Sequence, residues 1–490
     1  MFDSLTFFDL LLLVSATGTL SLLVLKYIRT ARLRASLPPG PRGVPLIGNI
    51  FDMPSSREWE RFTEWGRKYD HAENVGRQEL HLFGPPEFPM LGEMMGWDRG
   101  LVLSHYGERF RTFRRLLHRF MGTRTVVAQH HDTPENLIEH LRRYAKTYQR
   151  VGALDMTWRS RTAGAVVLDL CGDELVHIAE VASLEFSRAA TPGAFLVDSL
   201  PFLRHFPEWF PGAGWKKLGR EWRADTHKVV DTPFEYVQKR RTAGIAGTSF
   251  VDVNTKDNMS EHDADILKWA AVSIYFGGSD TMVSATSSFF LAMTLYPGVM
   301  KKAQAELDAV VGSHRLPTFE DRDRLPYLNA VIKEVLRWAP VTPFGGHHRL
   351  MEDDIQDGHL IPAGSAVIVN IWGLLHDEKI YSRPMIFDPE RFIATEKMSS
   401  EIDPHSILFG YGRRSCPGMH LADASLFLYI ATILAAFDIS KAVDDCGRVI
   451  ETNAEFTSGL VSHPSPFQCS IKPRSLDAIS LIREANMVEP

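Results

Sequence analysis

A glycine-rich turn that carries one cysteine constrains the fold of this chain more than any other feature. It occupies residues 409–418 with the sequence FGYGRRSCPG, and a mainly apolar segment, 421–437, follows it. Length and periodicity predict a helix over that segment, and Pro417 suits the first turn of a helix. Cys416 would then lie at or just before a helix N-terminus, where backbone N–H groups and the helix dipole favour a thiolate. The neighbouring glycines would let a flat ligand approach the backbone closely.

A thiolate bound to iron, with few ways to reach water, is what haem-thiolate oxygen chemistry requires. The alternative is a buried structural cysteine, which is the more common role of a lone cysteine. The spacing F-x-x-G-x-R-x-C-x-G favours the first interpretation, because it fixes five residues over ten positions. This pattern resembles the haem-binding signature of the cytochrome P450 family. The resemblance implies that Cys416 is the axial ligand of haem b (iron protoporphyrin IX), that Phe409 packs near its sulfur, and that Arg414 pairs with a haem propionate.

Composition narrows the possible compartments and partners. The chain has 490 residues, long enough for one large domain or two ordinary ones, and 44% of them are hydrophobic, which suits a globular protein. Its formal net charge of −6 argues against nucleic acid as the main partner. The four cysteines show neither CxxC nor zinc spacing, so they predict a folded part in a reducing compartment: Cys171, Cys416, Cys446 and Cys469.

The N-terminal stretch 5–28 is mainly apolar and just long enough to cross a bilayer, which takes roughly 17–25 residues. Basic residues follow it directly and predict that the remainder is cytosolic. A cleaved signal peptide is the alternative, but its basic residues should precede the apolar core. We expect a membrane anchor over residues 1–31, a basic, proline-rich hinge over residues 32–50 and a catalytic domain over residues 51–490. The resemblance implies a single-pass protein of the endoplasmic reticulum membrane.

Residues 265–295 predict a long apolar helix that contains the sequence GGSDT at 277–281. Glycine within a helix costs about 1 kcal/mol relative to alanine, so the pair that includes Gly277 suggests that a ligand needs the space. Thr281 can hydrogen-bond an oxygen ligand and Asp280 can help to relay protons to it. The alternative is a kinked helix with a polar surface patch. The stretch resembles the oxygen-activation motif of the family, which implies true monooxygenation with O2.

A third motif, Glu334-x-x-Arg337, lies on a helix predicted to begin near Pro326. Two such residues share a helix face and alone would form a surface pair worth about 0.2–0.5 kcal/mol. In the family this pair is buried and joined by an arginine, which corresponds to Arg391 here. The resemblance therefore implies a structural role behind the haem for Glu334, Arg337 and Arg391.

The resemblance assigns two further arginines to the haem propionates. Arg114 lies in a basic helical segment, 106–115, in which Phe110 replaces the tryptophan usual in the family. Arg349 follows two histidines, of which His348 is a weaker candidate for the same role. A metal site at these histidines is disfavoured, because no carboxylate or cysteine with ligand spacing accompanies them. The residues implied to line the substrate cavity are Gly277, Val341, Phe344 and Thr457.

Several segments carry only structural expectations. A short helix is predicted over 59–69, a polar connector over 249–262, and a hairpin and strand over 360–372. The aromatic, proline-broken segment 201–211 is equally typical of loop packing and of the roof over the substrate cavity that the resemblance implies. Between residues 66 and 106 the chain has only one strand-like run, 79–83, so either the protein is genuinely shorter there than the family pattern or the sequence is an imperfect gene model.

These observations predict a mainly α fold with small β-sheets (α+β), the cytochrome P450 fold, with an N-terminal transmembrane helix. The resemblance implies a fungal monooxygenase that inserts one atom of O2 into a small hydrophobic substrate, either a secondary metabolite or a xenobiotic. Its electrons would come from NADPH through NADPH–cytochrome P450 reductase. Two alternatives stay open: a haem-thiolate isomerase or dehydratase that uses no external O2, and a shortened chain that binds haem without turnover.

Overall fold

The computed structural model describes residues 36–44, 48–49, 52–54, 56–69, 83–85, 87–123, 173–191, 193–245, 249–396 and 399–484. The chain is mainly helical with small antiparallel sheets, which confirms the predicted fold class. The expected membrane anchor lies outside the described residues, as do part of the hinge and residues 70–82 of the shortened region.

The α-helices of the described part of the chain follow one another in this order: α1 (Glu58–Tyr69), α2 (Glu108–Met121), α3 (Asp173–Ala190), α4 (Leu196–Ser199), α5 (Trp215–Thr242), α6 (Phe250–Asn254), α7 (Glu261–Leu295), α8 (Pro297–Val310), α9 (Pro326–Trp338), α10 (Ile371–Leu375), α11 (His405–Leu408), α12 (Met419–Ala436) and α13 (Leu476–Glu484). A π-helix covers Pro89–Met94. Short 3₁₀ helices cover Trp97–Arg99, Pro201–His205, Phe319–Arg324, Pro389–Phe392 and Gly412–Arg414.

The strands are short and pair antiparallel: β1 (Phe83–Gly84), β2 (His348–Leu350), β3 (Asp354–Gln356), β4 (His359–Ile361), β5 (Ala366–Val367), β6 (Phe437–Lys441) and β7 (Cys469–Pro473). One sheet has the order β1-β2-β5, and β3 pairs with β4 as β6 does with β7. In the first sheet Gly84 faces Arg349, and His348 faces Val367. Because of this register, His348 and Arg349 on β2 lie between strands β1 and β5.

Helix α7 is the central element of the fold. Its N-terminus is capped by Ser260, whose hydroxyl accepts from the N–H of Asp263 (3.1 Å). It ends before Pro297, which opens α8 at an angle of 106° to α7. The N-terminal half of α7 packs into one hydrophobic cluster with α2, α3 and α5, and its C-terminal half packs into a second with α8, α9 and α12. Residues 277–281 therefore lie between the two parts of the core.

Two local expectations are wrong in part. The segment 249–262 contains α6, because Ser249 caps it by accepting from the N–H of Asp252 (3.3 Å) and the side chain of Phe250 is fully buried. The segment 360–372 does contain strands β4 and β5, but it ends in a helix. Asn370 caps that helix, α10, by accepting from the N–H of Gly373 (3.0 Å), so Trp372 is helical. The helix predicted over 59–69 is confirmed.

Among the described residues, one unbroken helix, α12, has the length and the apolar composition needed to cross a membrane. Its most apolar window is 61% buried inside the protein. Phe427, Ile430 and Leu434 each belong to the second hydrophobic cluster. Burial against other helices accounts for the apolar character of α12 on all faces, so we interpret it as a core helix.

Candidate active site

The cysteine loop joins α11 to α12. Its backbone closes through a hydrogen bond from the N–H of Cys416 to the carbonyl oxygen of Phe409 (2.8 Å). Gly410 and Gly412 have φ of 70° and 56°, values at which a side chain would be strained, so the turn requires glycine at both positions. The ring of Phe409 stacks on His405 at 5.5 Å. Helix α12 begins at Met419 with Gly418 as N-cap, so the prediction that Pro417 occupies its first turn is wrong by two residues.

The thiol of Cys416 is accessible, yet it is densely surrounded by protein atoms. Its surface is accessible, and it forms no disulfide. Nevertheless burial raises the pKa of the thiol, and the N–H of Gly418 and the charge of Arg114 act in the opposite direction. Both observations fit a thiol at the wall of a deep internal space, because such a group is reachable by a ligand yet poorly solvated.

Two arginines meet beside the cysteine. Arg114, on α2, donates from Nη1 to the carbonyl oxygen of Ser415 (2.7 Å). Arg414 donates from Nη2 to the carbonyl oxygen of Ser104 (2.7 Å), and its guanidinium lies 4.5 Å from the ring centroid of Phe110. Burial lowers the pKa of Arg414 to about 10, and the nearby charge of Arg114 adds to this effect. Within the described ranges neither arginine forms an ion pair with an acidic side chain.

Of the two histidines beside these arginines, His347 is buried and His348 is partly buried. Burial lowers the pKa of His347 to about 4, and His348 adds to the shift. The pKa of His348 is lowered by burial and by Arg414. Arg349, which follows on β2, is paired with Glu87. The structure therefore brings Arg114, Arg414 and His348 together, whereas Arg349 would have to exchange Glu87 to bind another carboxylate.

The predicted oxygen-activation motif lies in the middle of α7. The hydroxyl of Thr281 donates to the carbonyl oxygen of Gly277 (2.6 Å). A Cβ added at Gly277 or Gly278 would meet no atom within 4 Å, so open space lies beside both glycines. The carboxylate of Asp280 lies 3.2 Å from the Nε2 of His463. His463 was not among the residues singled out from the sequence, because no local motif marks it.

An aromatic cluster surrounds this part of α7. Trp97 lies 4.7 Å from Phe276 and 4.8 Å from Phe186, measured between ring centroids, and Trp269 lies 5.6 Å from Trp97. Phe276 directly precedes Gly277 in the chain and is partly exposed, whereas Trp97 and Trp269 are buried in the core (5% and 2% exposed). A space beside an aromatic ring such as that of Phe276 suits a hydrophobic molecule.

Three of the residues predicted to line the substrate cavity have other neighbours in this structure. Phe344 is 2% exposed and packs against Phe62 and Trp59 of α1. The carbonyl oxygen of Val341 accepts from the N–H of Ser462 (2.9 Å). Thr457 lies in the same loop as Ser462.

Glu334, Arg337 and Arg391 form one buried ionic network. Arg337 donates to both carboxylate oxygens of Glu334 (2.7 and 2.9 Å), and Arg391 Nε lies 3.2 Å from the same carboxylate. Glu334 and Arg337 are 0% exposed and Arg391 is 4% exposed. The N–H of Asp388 also donates to Glu334 (2.8 Å). The network joins α9 to the 3₁₀ helix at Pro389–Phe392, where the bidentate fork of arginine suits a carboxylate.

A second ionic cluster lies beside the cysteine loop and was not predicted. His405 contacts Asp403 through Nδ1 (2.7 Å) and Asp423 of α12 through Nε2 (3.3 Å). Arg322 donates to both oxygens of Asp423 (2.8 and 2.9 Å), and Lys333 pairs with Asp403 (2.9 Å). Burial alone would lower the pKa of His405, but the two carboxylates raise it to about 9. Because His405 precedes the cysteine loop and Asp423 follows it, this cluster holds both ends of the loop to one set of charged groups.

The residues present fit a haem better than a bare metal ion. No group of three or more His, Cys, Asp or Glu side chains within the part of the chain that the structure describes could hold a metal ion. A single thiol can bind iron only if another group supplies the remaining ligands, which a porphyrin does. Two partly buried arginines, for which the described residues supply no acidic partner, suit the carboxylates of its propionates.

Comparison with known proteins agrees with this geometry. The family model described as "Cytochrome P450" matches residues 67–471. Cytochrome P450 monooxygenase 208 of Postia placenta is 45% identical over 505 aligned positions, covering 96% of this chain and 98% of that protein. Cytochrome P450 monooxygenase claR of Ampulloclitocybe clavipes is 42% identical, covering 92% of this chain and 89% of that protein.

A more distant relative, tryptamine 4-monooxygenase of Psilocybe cyanescens, is 35% identical and covers 93% of this chain and 97% of that protein. The alignment with the Postia protein is longer than the 490 residues of this chain. It therefore includes positions at which that relative has a residue and this chain has none.

Proposed function

This chain belongs to the cytochrome P450 family and is a cytochrome P450 monooxygenase, and from that premise we propose that it inserts one atom of O2 into a small hydrophobic organic substrate with electrons from NADPH. The observation that carries the proposal is the accessible thiol of Cys416 beside the partly buried pair Arg114 and Arg414. A single thiol and two cations without acidic partners among the described residues support a site for an anionic iron porphyrin.

Haem, when bound, supplies the activation of O2 and the transfer of one oxygen atom. Cys416 would hold the iron, and Arg114 and Arg414 would bind the propionates. Arg349 would join them after releasing Glu87. The main-chain carbonyl oxygen of Phe409 accepts a hydrogen bond from the N–H of Cys416 and so fixes the cysteine. The ring of Phe409, which stacks on His405, shields one side of the loop.

Asp280 and Thr281 are proposed to hold and move the protons that the reaction consumes. The hydroxyl of Thr281 donates to the carbonyl oxygen of Gly277 in this structure, which leaves its oxygen able to accept a hydrogen bond from a second donor. Asp280, one residue earlier, can exchange protons with water because its side chain is about one quarter exposed (24%). Adjacent acid and alcohol groups beside open space support oxygenation over an isomerase or dehydratase reaction, which needs no supply of protons for O2.

The aromatic cluster of Trp97, Phe186, Phe276 and Trp269 supports a hydrophobic substrate. Rings of this kind bind flat or apolar molecules through their faces and edges. The substrate class that we propose is a small secondary metabolite or xenobiotic. Relatives named for monooxygenase activity, among them a tryptamine 4-monooxygenase, support this class.

The remaining partners follow from the family. We place the electron supply with NADPH–cytochrome P450 reductase and the enzyme on the endoplasmic reticulum membrane. The apolar stretch 5–28 would anchor it, and residues 51–490 would form the cytosolic catalytic domain.

The test is the spectrum of the reduced, carbon monoxide-bound chain in microsomes, recorded for the wild type, Cys416→Ala and Cys446→Ala. We expect a red-shifted thiolate-type Soret band in the wild type and in Cys446→Ala, which removes an exposed free thiol elsewhere. The band should be absent from Cys416→Ala. Its retention in that variant would exclude Cys416 as the ligand.

Turnover with isotopically labelled O2 then separates the remaining functions. Incorporation of label into a substrate, dependent on NADPH and reductase, is the expected result. Conversion without O2 would favour the isomerase or dehydratase. A wild-type chain that lacks the thiolate band would indicate the shortened, inactive form.

A further inference from the structure

We propose that His463 is a positioning residue for Asp280. This inference rests on the proposed function, because it concerns the carboxylate that we assign to proton supply. The Nε2 of His463 lies 3.2 Å from the Oδ1 of Asp280, and both side chains are partly buried (22% and 24% exposed). His463 comes from the C-terminal part of the chain, outside the helix that carries Asp280 and Thr281.

The backbone of His463 is fixed by a pair of hydrogen bonds with Thr457. The N–H of His463 donates to the hydroxyl oxygen of Thr457 (3.0 Å), and the N–H of Thr457 donates to the carbonyl oxygen of His463 (2.8 Å). The loop 457–463 is therefore closed at its two ends. A closed loop of this kind gives the imidazole few alternative positions, because the main chain that carries it cannot shift freely.

The same loop is attached to α7 one helical turn beyond Asp280. The hydroxyl of Ser284 donates to the carbonyl oxygen of Ser462, and Ser284 and Ser462 are 1% and 4% exposed. The N–H of Ser462 donates in turn to the carbonyl oxygen of Val341 (2.9 Å). Because residues i and i+4 share a helix face, Asp280 and Ser284 present two adjacent contacts to residues 462–463.

This arrangement gives Asp280 a defined orientation. The carboxylate of Asp280 lies at the edge of an open space and can turn towards water or towards Thr281. The imidazole of His463, at ion-pair distance, favours one of these two orientations of the carboxylate over the other. A hydrogen on Nε2 lets His463 attract the carboxylate in both the charged imidazolium and one neutral tautomer. His463 thus restricts the group that must face Thr281, and it acts through Asp280 without touching the reacting molecules itself.

The first test compares His463→Ala, His463→Asn and His463→Gln with the control His314→Ala, which removes an exposed histidine between α8 and α9. All variants should keep the thiolate-type spectrum, which would show that haem binding is unaffected. We expect Ala and Asn to release roughly two- to tenfold more hydrogen peroxide per NADPH, the range for loss of one hydrogen bond to a working group. Gln, which is long enough to reach Asp280 with a donor, should restore most of the coupling.

The second test is a double-mutant cycle of unfolding by urea with His463→Ala and Asp280→Ala. We expect the two changes to be non-additive, because each removes the same contact. Additive effects together with wild-type coupling in His463→Asn would overturn the proposal. If His463→Ala fails to fold, the Asn and Gln pair still decides, since equal coupling in both would also overturn it. Failure of the proposed function is distinct, because the wild type would then lack the thiolate band.

Discussion

The guanidinium of Arg114 donates to the carbonyl oxygen of Ser415, the residue directly before Cys416, at 2.7 Å. One arginine thus stabilises the main chain of the cysteine loop from α2, while its charge opposes the rise in the pKa of the thiol that burial causes. The basic helix and the cysteine turn, which are separated by about 300 residues in the sequence, form one structural unit. Substitution of residues in this unit, and of the ionic networks behind it, leads to the predictions below.

Thr281→Ala should retain haem and lose coupling. The variant keeps every contact of the cysteine loop but removes the hydroxyl next to Asp280, so we expect roughly two- to tenfold more hydrogen peroxide per NADPH consumed. The control is Thr286→Ala, because Thr286 also donates to the carbonyl four residues earlier (2.8 Å) but lies further along α7. If the two variants release equal amounts of hydrogen peroxide per NADPH consumed, Thr281 is not part of the proton path.

Glu334→Gln should destabilise the fold strongly. It leaves Arg337 and Arg391 buried without their carboxylate, and breaking a buried ion pair costs about 3–5 kcal/mol of unfolding free energy. Urea unfolding followed by the Soret band measures this loss. Glu64→Gln breaks the exposed pair with Arg61 and should cost less than about 1 kcal/mol. A similar cost in the two variants would contradict a structural role for the buried network.

His405→Ala should change the dependence of stability on pH. The two carboxylates raise the pKa of His405 to about 9, so its stabilising charge is fully present below its ordinary value of about 6.5 and is lost as the pH rises through about 9. Thermal unfolding of the wild type should therefore show a fall in stability between pH 7 and pH 10 that the variant lacks. Parallel pH profiles would show that Asp403 and Asp423 do not hold a charged imidazole.

Glu185→Gln should remove a fall in stability that occurs at lower pH. Burial raises the pKa of Glu185, on α3, to about 7, and Asp225 adds to the shift. A raised carboxyl pKa means that the folded chain binds this proton more tightly, so stability falls as the pH rises from about 4.5 to about 7. The amide variant should match the wild type at pH 4.5 and exceed it in thermal stability at pH 8.

The comparison for Glu185 is Glu64→Gln, whose carboxyl is 63% exposed in an ordinary surface pair. This control should leave the pH profile unchanged. A Glu185→Gln profile that coincides with both the control and the wild type would show that Glu185 titrates in the folded chain as it does in the unfolded one.

Local patterns predicted much of the fold. The long apolar run predicted α7, and proline at its N-terminus and apolar periodicity predicted α9 at Pro326–Trp338. Predictions failed where capping by a polar side chain decided the outcome. Ser249 and Asn370 each begin a five-residue helix in a segment that reads as connector or strand, because a short helix carries too few residues to display a period.

Candidate site residues could be predicted where the spacing of residues carried chemistry. Cys416 and Arg414 lie in one contiguous motif and the acid–alcohol pair in another, so proximity within each motif needs no tertiary information. His463 and His405 could not be recognised in this way. Their partners, Asp280 and Asp423, come from other helices, and contacts between distant segments depend on tertiary packing that the local pattern of neither segment encodes.

The division of the core on either side of residues 277–281 bears on how enzymes of this kind diversify. Side chains of α3 and α5 lie in one cluster, and those of α11 and α12, which flank the cysteine loop, lie mostly in the other. Exchange of residues on α3 and α5 would therefore change the first cluster without replacing either helix that flanks the thiol. A lineage built on this plan could vary α3 and α5 while α2, α11 and α12 keep the thiol and its arginines in register.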